Sequence, residues 1–102
     1  MAGEEAFNDK TVFKKNPNIQ ALRTREGLVL ARSGLKGEIL FYLESPVAQE
    51  IWDALDAGIP AGKIRELVLS TYDVSEKKFQ KDLRAFLKDL QLRNIIRPMR
   101  PR

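Results

Sequence analysis

The hydrophobic period of the chain changes at Ser45, and this change limits the available folds more than any other feature of the sequence. Before Ser45, short apolar runs are separated by the glycine-containing stretches "REG" and "SGLKG", which is typical of strands joined by tight turns. After Ser45, apolar residues recur about every 3.6 positions, as they do along one face of a helix. This order predicts an α+β fold whose sheet precedes its helices.

We predict a three-stranded antiparallel meander from strands at residues 19–24, 28–32 and 38–43. The third strand is unusual because it is apolar on both faces. Since Leu43 leads into the first helix, Phe41 and Ile39 are expected to point with it into the core, and Leu40 and Tyr42 to face the other way.

Three helices are expected to follow. Ser45 is a good N-cap with Pro46 at the first helical position, and Gly58 is suited to end that helix. The second helix should span residues 60–71. The third should start after Ser75 and stop at Asn94, which tolerates left-handed geometry. Its apolar stripe is expected in the core and comprises Phe79, Leu83, Phe86, Leu87 and Leu90. The predicted architecture is winged-helix-turn-helix-like.

Composition excludes several functional classes. The chain has 102 residues and neither cysteine nor histidine, so disulfides, thiolate nucleophiles, histidine bases and the usual zinc sites are ruled out. No catalytic constellation, metal site or cofactor site can be read from it. No apolar run approaches the ~18 residues of a membrane span, and the acidic start is unlike a signal sequence. We expect a cytoplasmic protein that is not an enzyme.

The predicted organisation is a flexible N-terminal arm at residues 1–16, one domain at 17–97 and a basic tail at 98–102. The tail "RPMRPR" is expected to be a disordered end, with contact to an acidic partner enzyme as the alternative. The third strand leaves two possibilities open. Either the third helix or the N-terminal arm covers its second apolar face, or the strand lies at a sheet edge and accepts a peptide as an added strand.

A basic stripe follows the third helix at i, i+4, i+7 and i+11, about opposite the core stripe; it consists of Lys77, Lys81, Arg84 and Lys88. It could be a solvated face, the border of a groove for an acidic peptide, or a surface for DNA phosphates. The DNA alternative is weakened by Glu76 and Asp82 among the lysines, and by Gln80 being the one side chain there suited to reading bases.

Several short stretches in register resemble the PqqD-like family of small proteins, over about residues 15–97. They are "NPNIQALRTREGLVLA", then "GEILFYL" leading directly into "SPVAQEIWDALDAG", then "IRELVLSTYDVSEKKFQKDLRAFLKDLQLRNII". The most specific elements are the Ile-Trp pair after the strand, the Tyr-Asp-Val before the third helix, and the spacing Asp-Leu-x-x-Phe-Leu-x-x-Leu within that helix.

The resemblance implies a non-catalytic module that binds the leader segment of a ribosomally made precursor peptide. By this resemblance, the leader would pair as an extra strand on the third strand, in the groove beside the third helix. The module would present it to a modifying enzyme, such as a radical S-adenosylmethionine enzyme, a leader peptidase or a cyclase. By position, the strand residues would be Glu38, Ile39, Leu40, Phe41, Tyr42 and Leu43, with Leu40 and Tyr42 as side-chain contacts. The helix residues would be Lys81, Asp82, Arg84 and Ala85, joined by Lys77 and Lys88 of the stripe.

The sequence departs from the family pattern at three positions. Glu44 stands where Asn usually follows the strand, and Pro60 stands where Thr or Ser usually caps the second helix. Asn94 replaces the usual Gly but satisfies the same left-handed requirement.

Overall fold

The boundary predicted at Ser45 separates sheet from helices in the computed structural model, which describes residues 8–32 and 39–99. Within these residues the elements are β1 (Phe13–Lys15), β2 (Ile19–Thr24), β3 (Gly27–Arg32), β4 (Ile39–Leu43), α1 (Pro46–Leu55), α2 (Ala61–Thr71), α3 (Glu76–Leu92) and β5 (Ile96–Pro98). The predicted α+β architecture, with a three-stranded antiparallel sheet and three helices, is confirmed.

The sheet has the order β2-β3-β4, and both pairings are antiparallel. The pairing of β3 with β4 shifts register, because Leu30 pairs with Phe41 and Ala31 with Ile39, which leaves Leu40 as an extra residue in a β-bulge. Gly27 starts β3 with a positive φ of 147°, and an added Cβ would lie 2.5 Å from the carbonyl oxygen of Leu43. No side chain fits at this position.

The helix ends follow local signals in the sequence. The Ser45 hydroxyl accepts a hydrogen bond from the amide of Ala48 at 3.0 Å, and the Ser75 hydroxyl accepts one from the amide of Lys78 at 3.4 Å. Asn94 has a φ of 64°, as its place after α3 predicted. Gly58 is also left-handed, but α1 ends three residues before it, at Leu55.

The core lies between the helices and the inner face of the sheet. Leu28, Leu30 and Leu43 from the sheet are buried against α1, α2 and α3. Helix α3 contributes Phe79, Leu83, Leu87 and Leu90, and burying each such side chain stabilises the fold by about 1.5–3 kcal/mol. Phe86, which was expected in this stripe, is only half-buried.

The N-terminal segment (residues 8–16) differs from the flexible arm that we expected. Its strand β1 pairs antiparallel with β5, and Phe13 is 2% exposed in the core. The Asp9 carboxylate accepts two hydrogen bonds from the guanidinium of Arg65, at 2.8 and 3.0 Å. The described part of the expected arm therefore belongs to the domain.

The start of the expected disordered tail is also paired, since Arg97 and Pro98 belong to β5 and the Met99 amide donates to the carbonyl of Val12 at 2.7 Å. Residues 1–7, 33–38 and 100–102 lie outside the described residues, so the predicted arm, the turn "SGLKG" and the end of the tail remain predictions there.

Gly62, in the first turn of α2, has a structural role. Its amide donates to the carbonyl of Asp9 at 2.9 Å, and an added Cβ would lie 3.0 Å from the Asp9 side chain. The missing side chain lets the N-terminal segment lie directly on the start of α2.

Candidate functional site

Strand β4 lies at the edge of the three-stranded sheet. Among the described residues it pairs only with β3, so its other edge carries unpaired backbone groups. The N-terminal segment does not cover this edge, since it packs on β5 and on the start of α2. In the part of the chain that the structure describes, β4 is a free edge.

The close approach of Gly27 shows which backbone groups face outward. The carbonyl of Leu43 points toward β3, where it lies against Gly27. In an antiparallel strand the backbone groups of successive residues point to opposite sides. The amide and carbonyl of Tyr42 therefore face the open edge.

The side chains of β4 also divide between two surfaces. Leu43 is buried, and Phe41 is half-buried with its ring edge-to-face on Phe86 of α3, at 6.1 Å between ring centres. Tyr42 is 49% exposed on the other face of the sheet. The predicted inward direction of Phe41 and Leu43 agrees with the structure. A peptide between β4 and α3 would therefore contact Phe41 rather than the Tyr42 side chain.

An apolar groove of about 360 Å³ lies between the start of α1 and one flank of α3. We call it the α1–α3 groove. It is lined by Ser45, Val47, Ala48, Ile51, Val74, Ser75, Lys78, Phe79, Asp82, Leu83 and Phe86. Phe86 belongs both to this lining and to the contact with Phe41, so the groove lies beside β4.

The groove was missed in the sequence because its apolar residues fit the core stripes equally well. Phe86 was assigned to the core stripe of α3, Val47 and Ala48 recur with Ile51 at helical spacing, and Val74 has the spacing of a hydrophobic staple with Phe79. The sequence feature that could have indicated the groove was the angular width of the apolar face of α3. The apolar face of α3 extends about 100° from Leu87 to Phe86, and its far edge is left for a second surface.

Two charged pairs border this flank of α3. Lys78 and Asp82 lie 3.5 Å apart, and Arg93 and Asp89 lie 3.0 Å apart. The Arg93 guanidinium also stands over the Phe41 ring, 5.0 Å from its centre. These exposed pairs contribute little stability, roughly 0–1 kcal/mol each. They make the groove flank of α3 polar at its rim and close to neutral.

The structure brings together some of the predicted site residues and separates others. Asp82 lines the groove, and Phe41, Tyr42 and Leu43 lie on the edge strand. The backbones of Ile39 and Leu40 belong to β4, whereas their side chains and Glu38 lie outside the described residues. The remaining predicted helix residues are exposed and do not line the groove; they are Lys77, Lys81, Arg84, Ala85 and Lys88.

The shifted pKa values belong to groups outside the groove. A hydrogen bond from Arg65 lowers the pKa of Asp9, and the same bond raises the pKa of Arg65. Burial, followed by the nearby Glu50 carboxylate, raises the pKa of Tyr72, whose hydroxyl donates to Glu50 at 3.3 Å. Changes in the protonation of these three groups therefore affect the stability of the fold, at positions away from the groove.

The fold and the free edge define a small winged-helix-like α+β domain with a groove beside its last strand. The chain belongs to the PqqD family, because the profile described as "Coenzyme PQQ synthesis protein D (PqqD)" matches residues 40–96. The matched region starts in β4 and includes all three helices. It therefore contains both the edge strand and the α1–α3 groove.

A solved structure, "Lasso peptide synthetase B1 complexed with the leader peptide", is similar to this chain with a TM-score of 0.71. The two share 25% sequence identity, over 85% of this chain and 99% of the other. No curated protein matches significantly. Within residues 8–32 and 39–99, no helix is long and apolar enough to cross a membrane, and no group of acidic side chains could hold a metal ion.

Proposed function

We propose that the protein is a non-catalytic module that binds the leader segment of a ribosomally made precursor peptide and presents it to a modifying enzyme. The observation that carries the proposal is the free edge of β4 beside an apolar groove, in the region that matches the PqqD family. The similar lasso peptide synthetase structure, which contains a leader peptide, supports the same function.

The leader would add to β4 as a further strand. The outward amide and carbonyl of Tyr42 offer it two hydrogen bonds, and main-chain bonds of this kind give affinity without reading sequence. Alternate side chains of the added strand would face α3, where Phe41 and Phe86 form an apolar wall. Selection would therefore depend on apolar leader side chains that fit against this wall and into the α1–α3 groove.

The basic stripe has a different place in this proposal from the one that the sequence suggested. Although Lys78 at the groove rim lies only about 60° from Lys81, the centre of the stripe lies about 130° around α3 from Asp82 and about 170° from Phe86, at about 100° per residue. A peptide packed against Phe86 would therefore not touch the residues of the stripe. Their field would still raise the encounter rate of acidic leaders, an effect that weakens beyond about 10 Å at 0.1 M salt.

The finer parts of the proposal concern the identity of the partner enzyme and the cellular compartment in which the module works. We propose that the partner is a radical S-adenosylmethionine enzyme, a leader peptidase or a cyclase, which supplies the catalytic groups. We further propose that the module works in the cytoplasm, where ribosomal precursors are made. The DNA-binding alternative receives no support from the comparisons.

Two substitutions at one position test strand addition. Tyr42→Pro removes the outward amide, and proline is tolerated at a sheet edge when its missing N–H faces outward. Tyr42→Ala is the matched control, because it removes the side chain and keeps the amide. With the labelled leader encoded beside this gene, we expect Tyr42→Pro to weaken binding at least about tenfold, or about 1.4 kcal/mol, and Tyr42→Ala to change it by less than about threefold.

Circular dichroism should show that both variants remain folded. Equal affinities for the two variants would exclude pairing at Tyr42, and a wild-type protein that does not bind the leader at all would refute the proposed function.

A further inference from the structure

The two flanks of α3 differ in charge. On the groove flank, Asp82 and Asp89 are each paired with a cation. On the other flank, the basic stripe presents four cations within a sector roughly 60° wide, and the acidic residues of α3, although interspersed in sequence, lie outside that sector. The exposed lysines of the stripe form no salt bridge within the described residues; they are Lys77, Lys81 and Lys88. The helix therefore separates a near-neutral surface from a cationic one.

The stripe also has the dimensions of a protein contact. Lys77 and Lys88 are eleven residues apart, so the row is about 16 Å long at about 1.5 Å per residue. Arg84 lies in the same row and close to Asp9. Because Arg84 already lies beside Asp9, it is the three lysines along three turns of helix that complement a short acidic helix or an acidic surface ridge on another protein.

Duplex DNA fits this surface less well. Residues 1–75 carry 11 acidic and 9 basic side chains, so the remainder of the domain would repel a phosphate backbone. The start of α3 also offers few side chains that read base edges.

We infer that the basic stripe binds an acidic surface of the modifying enzyme, while the opposite flank of α3 holds the leader peptide. The inference rests on the proposed function, and it deepens that function by naming the surface that contacts the enzyme. One helix then links the two partners. The leader and the enzyme do not compete, because their surfaces lie on different sides of the helix axis.

A charge-reversal variant tests this assignment. The test variant carries Lys77→Glu, Lys81→Glu and Lys88→Glu. The control carries Lys14→Glu, Arg25→Glu and Lys63→Glu, which makes the same change in net charge at exposed positions elsewhere. Each protein is titrated separately with the labelled leader peptide and with the purified enzyme encoded beside the precursor, at about 0.05 M and 0.3 M salt.

We expect the stripe variant to bind the enzyme at least about tenfold more weakly than wild type at the lower salt. Its leader affinity should stay within about threefold of wild type, and the control should bind both partners nearly normally. Enzyme binding that is unchanged in the stripe variant, or equally weakened in the control, would overturn the inference.

Two further outcomes are decisive. A 20-base-pair duplex that binds wild type with a steep salt dependence, and does not bind the stripe variant, would assign the stripe to DNA instead. Leader binding that fails in wild type would refute the proposed function. A wild-type protein that binds the leader but does not bind the enzyme would overturn only the assignment of the stripe.

Discussion

At the scale of single residues, the contact between Phe41 and Phe86 determines the shape of the candidate site. The rings meet at 81°, an edge-to-face geometry that aromatic pairs prefer. Phe41 comes from the edge strand and Phe86 from α3, so the contact holds the strand at a fixed distance from the helix. Neither ring is fully buried, which leaves apolar surface for an added strand.

A double-mutant cycle measures the coupling free energy between the Phe41 and Phe86 rings. Phe41→Leu and Phe86→Leu each keep an apolar side chain but remove the ring interaction. We expect a coupling free energy of about 0.5–1.5 kcal/mol, measured by urea unfolding of the single and double variants. The control cycle joins Phe41 to Phe79, a buried ring two turns earlier on α3. A Phe41–Phe86 coupling no larger than that of the control would show that the rings do not act as a pair.

At the scale of elements, the N-terminal segment and β5 show what a local signal cannot predict. Each strand has three residues, which is too short for an alternating pattern to be recognised. Their pairing joins Lys14 to Arg97, so the partner of each strand lies at the far end of the sequence. The helix caps, by contrast, were predictable because each depends on residues only a few positions apart.

The packing of β1 can be tested at Phe13. Phe13→Ala should lower the free energy of unfolding by about 3–5 kcal/mol, as expected for a phenylalanine removed from a core. Lys14→Ala, at the next and exposed position, is the control and should change it by less than about 0.5 kcal/mol. Equal stability of the two variants in urea would mean that the segment is not docked.

The ion pair between the N-terminal segment and α2 should make stability depend on pH. Because the pKa of Asp9 is lower in the folded protein, its contribution is present above the unfolded pKa of about 3.8 and is lost as the pH falls through the folded value. In Asp9→Asn this contribution is absent at every pH. Urea midpoints between pH 2.5 and 7 should therefore differ between the two proteins at neutral pH and converge below about pH 4. A constant difference would contradict this account.

At the scale of the whole molecule, the fold was more predictable than the site. The change of period at Ser45, the caps and the apolar stripes predicted three strands and three helices in the right order, because each signal lies within one element. The site depends on how α3 is rotated against β4. The sequence shows that the basic stripe is exposed, but tertiary packing decides that it is Phe86, and not Arg84, that faces the edge strand. Helical periodicity alone cannot make that distinction.

The bulge at Leu40 limits the length over which β4 can fix the register of an added peptide strand. A regular edge strand would let a partner slide by two residues and find equivalent bonds again. Here the spacing of the pairing groups changes between Ile39 and Phe41, so only a short window near Tyr42 holds the guest in one alignment. Under the proposed function, precursors that agree in that window and differ elsewhere would be accepted equally. One such module could then serve a family of diverging products.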